Sequence, residues 1–263
     1  MNGNQFKPSS GFKLLPPVVK NLLIINGLFF LASFLLTVIG KDLVSTLGLY
    51  YLKSDLFKPY QIISHMFMHG RVMQGGLLHI LFNMYALWMF GKVLEQFWGA
   101  KRFFIYYIVT GLGAAILHQV VQHIQAETII TQLVDIGLSS KEINELALSG
   151  KYNTGILNYI SKDRIYNLYS IFNGPVVGAS GAVFGLLLAF GMIFPNAELM
   201  LLFLPVPIKA KYFVIMYGVA ELYFGFSNNP NDNVAHFAHL GGMLFGIILI
   251  LMWKKNKGNK WLS

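Results

Sequence analysis

Apolar runs about as long as a bilayer is thick alternate along this chain with short clusters of Lys and Arg. The first runs from Val18 to Ile39, and a helix of about 20 apolar residues crosses the roughly 30 Å hydrocarbon layer. Backbone groups in lipid must be satisfied within their own segment, so each run predicts a helix. Residues 40–74 are mixed, too apolar for a free linker and too broken by Gly, Pro and Lys to span, and are expected to lie at the membrane interface. A second span opens near Leu77 and ends before Glu95 and the Trp98-Gly99 turn, and a third runs from Phe103 to about Val121. Residues 122–172 carry Glu127, Asp135, Glu142, Glu145 and Asp163 among helix-like and Gly-broken pieces, which predicts an extramembrane insert. The fourth span opens at Gly174-Pro175 and closes at Phe194-Pro195, with proline at the start and at the stop. A connection with Pro205, Pro207, Lys209 and Lys211 leads to a fifth span, Tyr212 to Phe226, which contains Glu221. The turn-rich Ser227–Asn233 loop precedes a sixth, Val234 to Trp253. The expected architecture is an all-α membrane protein: a six-transmembrane-helix bundle over residues 18–253 with a membrane-associated first loop, flanked by tails 1–17 and 254–263.

Composition agrees with that pattern. Of 263 residues, 55% are hydrophobic and 12% charged, and the mean hydropathy is +0.56, too little polar surface for a water-soluble globule of this length. The formal charge of +9 would suit nucleic acid if it formed one patch, but the cations sit at the ends of apolar runs, so no nucleic-acid partner is expected. Twelve of the twenty Lys and Arg fall in the tails and the even connections, and eight in the much longer odd ones. That bias predicts both termini on the cytoplasmic side. The first run is longer than a signal-peptide core and no small-residue cleavage site follows it, so it is expected to remain as a span. With no presequence before it, a bacterial cytoplasmic (inner) membrane is the expected location. The absence of cysteine removes thiolate catalysis and Cys-ligated zinc.

In this topology the second, fourth and sixth spans all run inward from the outer face. His79 and Asn83, Ser180, and His239 then fall in the first turns of their spans, at one depth. His79 and Asn83 are spaced i, i+4 and share a helix face about 6 Å apart. Gly181 with Gly185, and Gly242 with Gly246, are small-xxx-small pairs that would let the fourth and sixth spans approach closely. Such an approach would bring the Ser180 hydroxyl within reach of His239 as a base, forming a serine–histidine dyad. Phe184, one turn below Ser180, would pack on the imidazole. Asn83, His79 and the Ser180 backbone N–H are candidate donors to an oxyanion.

Three elements in this order, His79-xxx-Asn83, Gly178-x-Ser180-Gly181 and Ala238-His239-xx-Gly242-xxx-Gly246, resemble the rhomboid family of intramembrane serine proteases. The resemblance covers about residues 18 to 253. It implies Ser180 as nucleophile, His239 as general base, an oxyanion hole from His79, Asn83 and the backbone of Gly178 to Ser180, and a water-filled cavity open to the outer face. It implies single-span membrane proteins as substrates, cut within or beside the lipid bilayer, and requires no cofactor. Glu95, Gly99 and Arg102 are similar to the family's second-to-third connection. The chain departs at Tyr60-Gln61, where many relatives carry Trp-Arg, in the stretch Arg71–Gly76 that lengthens the gap to His79, and in the longer insert.

Other readings compete. Ser180 alone reads as a small residue bonding to its own helix, and His79 with Asn83 as helix–helix glue. His65 and His69 have metal-ligand spacing if helical, but no acid stands nearby and no metal is expected. His236 reads as structural, His118 and His123 as interfacial, and Glu221 as an acid hydrogen-bonded inside the bundle, although a buried acid in a span is by default a functional candidate. An inactive adaptor that binds transmembrane helices is the alternative function. A small transporter fits less well, because no inverted repeat is evident and the polar residues cluster at one depth.

Overall fold

The computed structural model describes residues 15–72, 75–201, 204–227 and 234–257. Most of the tail 1–17, most of the Ser227–Asn233 turn and part of the basic tail 254–263 lie outside them. Helix α1 (Pro17–Val38) starts where Pro17 presets the first helical turn and has no cap from its neighbours. A distant residue supplies one: Glu95, buried, accepts from the backbone N–H of Val18 at 2.9 Å and of Val19 at 2.8 Å. Its negative charge sits at the positive end of the α1 dipole.

Short elements follow in the first connection, α2 (Leu43–Leu47), α3 (Gln61–Ser64) and a 3₁₀ turn His65–Phe67. Then come α4 (Gly76–Trp98), α5 (Ala100–Asp135), α6 (Ser140–Ser149), α7 (Lys162–Asn173), α8 (Ser180–Ile193), α9 (Ala210–Ser227) and α10 (His236–Lys257). Among the described residues, α1, α4, α5 and α10 are long and apolar enough to cross a membrane, and α8 is a shorter apolar helix. The centre is a trio: α10 packs most extensively on α5 and α8, and those two pack on each other.

Four expectations change. The third helix does not stop at Val121 but continues unbroken to Asp135, because Gln119, Gln122, Ala126, Ile129 and Leu133 recur every three or four residues and keep one face buried. That extension carries α6 and α7 in a second core containing Ile129, Leu133, Leu146 and Leu168, so the insert is a packed helical subdomain. Its α6 opens with a capping box, in which the Ser139 hydroxyl and backbone N–H hold the Glu142 carboxyl below its ordinary value.

The fourth helix opens at Ser180 rather than at Gly174-Pro175. Gly178 has φ +134°, which no helix accepts, and Val176 is paired as extended chain with Leu49 through bonds of 2.9 and 2.8 Å. The connection after α8 is not irregular but a hairpin, β1 (Glu198–Leu201) antiparallel to β2 (Leu204–Lys209), with Glu198 opposite Lys209. The chain is therefore not helical throughout.

The glycine pairs, finally, do not simply join α8 to α10. A methyl group at Gly242 would overlap the Gly181 carbonyl, so those two helices do touch backbone to backbone. Gly181 and Gly185, however, face Ala114 and Thr110 of α5, and Gly246 faces the Tyr106 hydroxyl and Leu188. The small residues make a three-helix joint, closed by a bond from Tyr106 Oη–H to the Gly185 carbonyl at 2.9 Å.

Candidate active site

Ser180 is the first residue of α8, so its side chain sits at the helix mouth and the first N–H groups of that helix have no intrahelical partner. His239 stands in the first turn of α10 and is buried. Where α8 and α10 meet, Ser180 Oγ lies 2.9 Å from His239 Nε2. Phe184 stacks on the imidazole with ring centroids 4.1 Å apart and planes 6° from parallel, which fixes the ring plane.

His79 and Asn83 reach the same place from α4. Gly178 brings its backbone against His79: a Cβ there would stand 3.0 Å from His79 Nε2 and 3.4 Å from Ser180 Oγ. His79 Nδ1 faces the Gly70 N–H at 3.5 Å, which assigns the ring proton to Nε2, the nitrogen turned toward Ser180. Asn83 spends one amide N–H on the His79 carbonyl at 2.8 Å, and the second remains for the cavity that it lines. The Gly178 N–H itself donates to the His65 carbonyl at 3.0 Å. The strand before Ser180 is thus tied down while the N–H groups of α8 stay open.

These residues share a cavity of about 1350 Å³ whose wall runs from His79, Ser180 and His239 along α4 (Leu78, Phe82) to α9 (Phe213, Tyr217). Gly181 also lines it, while Gly242, Gly185 and Gly246 pack in the α5–α8–α10 joint.

Two groups of polar residues exceed what sequence reasoning assigned. Gln61, in the position compared with the common Arg, is 1% exposed. It accepts from Lys58 N at 3.0 Å and Tyr50 N at 3.4 Å, and donates to the Leu56 carbonyl at 3.1 Å and the Thr46 carbonyl at 3.2 Å. A neutral amide therefore knots the first connection where relatives use a charge. Glu221 of α9 stands against His236 and His239 together, with Oε2 at 2.6 Å and 3.0 Å from their Nδ1 atoms. The available signal was a lone acid in one span facing two histidines one helical turn apart in the next.

The remaining histidines separate. His65 bonds the Gln61 carbonyl through Nδ1 at 2.8 Å, and His69 packs edge-on to His79 with centroids 5.1 Å apart. The 3₁₀ turn between them breaks the i, i+4 face that a shared metal would need. His123 bonds Tyr51 Oη at 2.8 Å. His118, expected at the interface, lines the cavity with its ring nitrogens buried. Glu221, His236 and His239 offer ligand atoms within 4.8 Å of one another, and the Glu221 carboxylate accepts from the His236 ring N–H at 2.6 Å.

A family model described as the Rhomboid domain matches residues 57–256. The chain is also similar to Rhomboid protein 1, mitochondrial, of Saccharomyces cerevisiae, at 24% identity over 235 residues. That alignment covers 81% of this chain and spans 62% of the length of the relative.

Proposed function

The chain belongs to the rhomboid family of membrane proteins, and from that premise we propose that it is an intramembrane serine endopeptidase working through Ser180 and His239. The observation that supports this most is the 2.9 Å approach of Ser180 Oγ to His239 Nε2 beneath a stacked Phe184. In the reaction Ser180 Oγ attacks the scissile carbonyl carbon and its proton passes to His239 Nε2. The carbonyl oxygen becomes an oxyanion that accepts from the Ser180 N–H, His79 Nε2–H and the second Asn83 amide proton. Collapse breaks the C–N bond, and His239 returns the proton to the leaving amine. Water, deprotonated by the same Nε2, then frees the acyl group from Ser180. Gly178 acts through its backbone, which comes closer to His79 than any side chain would permit.

Six crossings follow if α8 and α9 are counted as spans. At 14 residues α8 is about 21 Å long, less than the hydrocarbon layer. Its outer end is replaced by the extended chain 174–179, and non-helical backbone at that depth is tolerated where it lines a wet cavity. Substrates are the transmembrane helices of single-span proteins that unwind readily, because an intact helix hides its peptide bonds. The Lys and Arg bias supports both termini on the cytoplasmic side, with the cavity opening on the opposite face.

The test is fluorophosphonate labelling and cleavage of a single-span substrate by the purified full chain in detergent, beside Ser180→Ala. Labelling and cleavage that both vanish in Ser180→Ala are expected. A folded wild type that does neither would leave the family's adaptor role as the better reading.

A further inference from the structure

The proton transfers just described use two side chains, Ser180 and His239, and leave a third beside them without a task. Glu221 is a buried acid on an otherwise apolar helix, a placement that is costly unless the charge is partnered. Its Oε2 stands between two imidazoles, 2.6 Å from His236 Nδ1 and 3.0 Å from His239 Nδ1. His236 and His239 are three residues apart on α10, so both turn toward α9. The His236 contact is a formed hydrogen bond. The His239 contact is equally close to ideal length, but its N–H points off the oxygen, and Nδ1 is buried with no other partner. Catalytic hydrogen bonds are often misaligned before substrate arrives and tighten with it. Since Nε2 faces the Ser180 hydroxyl as an acceptor, the neutral ring carries its proton on Nδ1, the side that Glu221 occupies.

We propose that Glu221 is a positioning residue which, with Ser180 and His239, completes a serine–histidine–glutamate triad, and that His236 is a second donor that holds and shares its carboxylate. This rests on the protease reading. When Ser180 attacks, its proton moves to Nε2 and the ring becomes an imidazolium whose Nδ1–H faces a carboxylate. No proton need pass to Glu221. Phe184 and Glu221 then divide the work: the phenyl ring sets the imidazole plane, and the carboxylate sets the tautomer and stabilises the charge.

The groups around His239 make Glu221 the source of that charge. Ser180 faces the ring from α8, His79 from α4 and His118 from α5, while Tyr217 of α9 reaches it through Phe184 and His236 stands beside it on α10. Among these described neighbours Glu221 alone is an acid. A charge on His236 would engage the carboxylate and reduce its effect on His239.

The experiment compares the purified wild type with Glu221→Gln, Glu221→Asp and His236→Asn in substrate cleavage, labelling rate and melting temperature, from about pH 5 to about pH 9. Glu221→Gln is expected to lower kcat by on the order of 10²-fold or more. It should also displace the acid limb of kcat/KM to lower pH, because the imidazolium loses its counter-charge. Glu221→Asp should recover part of the rate. In His236→Asn the whole carboxylate faces His239, and the acid limb should move to higher pH. Should Glu221→Gln fail to fold, the His236→Asn profile still decides, since a purely structural pair would leave the limb in place. The proposal is overturned if Glu221→Gln stays within about twofold of wild type, if neither variant moves the acid limb, or if EDTA abolishes wild-type cleavage and Zn²⁺ restores it. A wild type that neither labels nor cuts is a different result, since it removes the protease reading itself.

Discussion

The backbone leading into Ser180 is held on one side by polar bonds and faces, on the other, a helix that is mostly bare. On the first side, the connection 40–72 pairs Leu49 with Val176 and takes the Gly178 N–H on the His65 carbonyl. Gln61 knots that connection internally. Helix α5 and the insert support it from outside: Gln119 bonds Leu52 N and the Tyr50 carbonyl at 3.0 and 3.1 Å, and the Ser54 hydroxyl donates to the Phe172 carbonyl at 2.6 Å. On the second side, α9 buries only Ala210, Phe213, Val214 and Glu221, and turns Ile215, Val219, Leu222 and Tyr223 outward. A side fixed by directional bonds can set geometry to a fraction of an ångström, whereas a side held by scattered apolar contacts can part at little cost. Under the protease reading proposed above, that division suits one wall to alignment and the other to admission.

The sharpest way to break the comparison is to remove the knot. Gln61→Leu has nearly the same volume but leaves Tyr50 N, Lys58 N and the carbonyls of Thr46 and Leu56 without their partner. Destabilisation of about 3 to 5 kcal/mol is expected, together with faster hydrogen exchange at Leu49 and Val176 and reduced cleavage. If Gln61→Leu melts within a degree or so of wild type and cleaves normally, the polar side is not what holds Ser180.

A smaller effect belongs to the open wall. Phe82 lines the cavity from α4 and is 52% exposed, so Phe82→Ala should change stability by only about 0.5 kcal/mol. It widens the passage between α4 and α9, and kcat/KM for a transmembrane substrate should rise about threefold, with labelling by a small fluorophosphonate unchanged. An equal rise in both rates would mean that the site itself had changed, and the two walls would no longer be separable.

What the sequence made legible divides along the same line. Apolar runs of spanning length located α1, α4, α10 and the start of α5 to within a few residues, because lipid leaves a helix no alternative. Span direction alone led to the expectation that His79, Asn83, Ser180 and His239 share one depth. The polar side was illegible for the reason that makes it rigid: Gln61, Gln119 and Ser54 bond to backbone atoms up to 118 residues away, and no spacing rule encodes such partners. The length of α5 was missed because Glu127 and neighbouring polar residues read as an exit from the membrane. The inward face of the helix nonetheless continues past them to Leu133. Glu221 stood in plain view as a buried acid, yet its oxygen between two imidazoles is a fact of how α9 leans on α10.

The weakest expected effect sits at the outer edge of the polar side, where Arg71 pairs with Asp42. Arg71 Nε donates to Asp42 Oδ2 at 3.1 Å, and Asp42 also caps α2 by accepting from Val44 N at 3.0 Å. Burial pushes the Asp42 carboxyl up, but the hydrogen bond and charge of Arg71, with Ser45 and the Val44 N–H, outweigh it and hold the group below its ordinary value of 3.8. A carboxyl depressed in the folded state contributes stability that is fully present above its unfolded value and lost as pH falls through the lower, folded one. Both partners are more than a third exposed at the side chain, so the pair is worth only a few tenths of a kcal/mol and is screened by salt. Asp42→Asn should therefore melt slightly below wild type near pH 7 and converge with it once the pH has fallen through the depressed folded value. Melting curves that stay parallel down to acid would assign the loss to the α2 cap instead of the charge. A difference of several kcal/mol at neutral pH would mean that this outer clasp, rather than Gln61, governs the polar side.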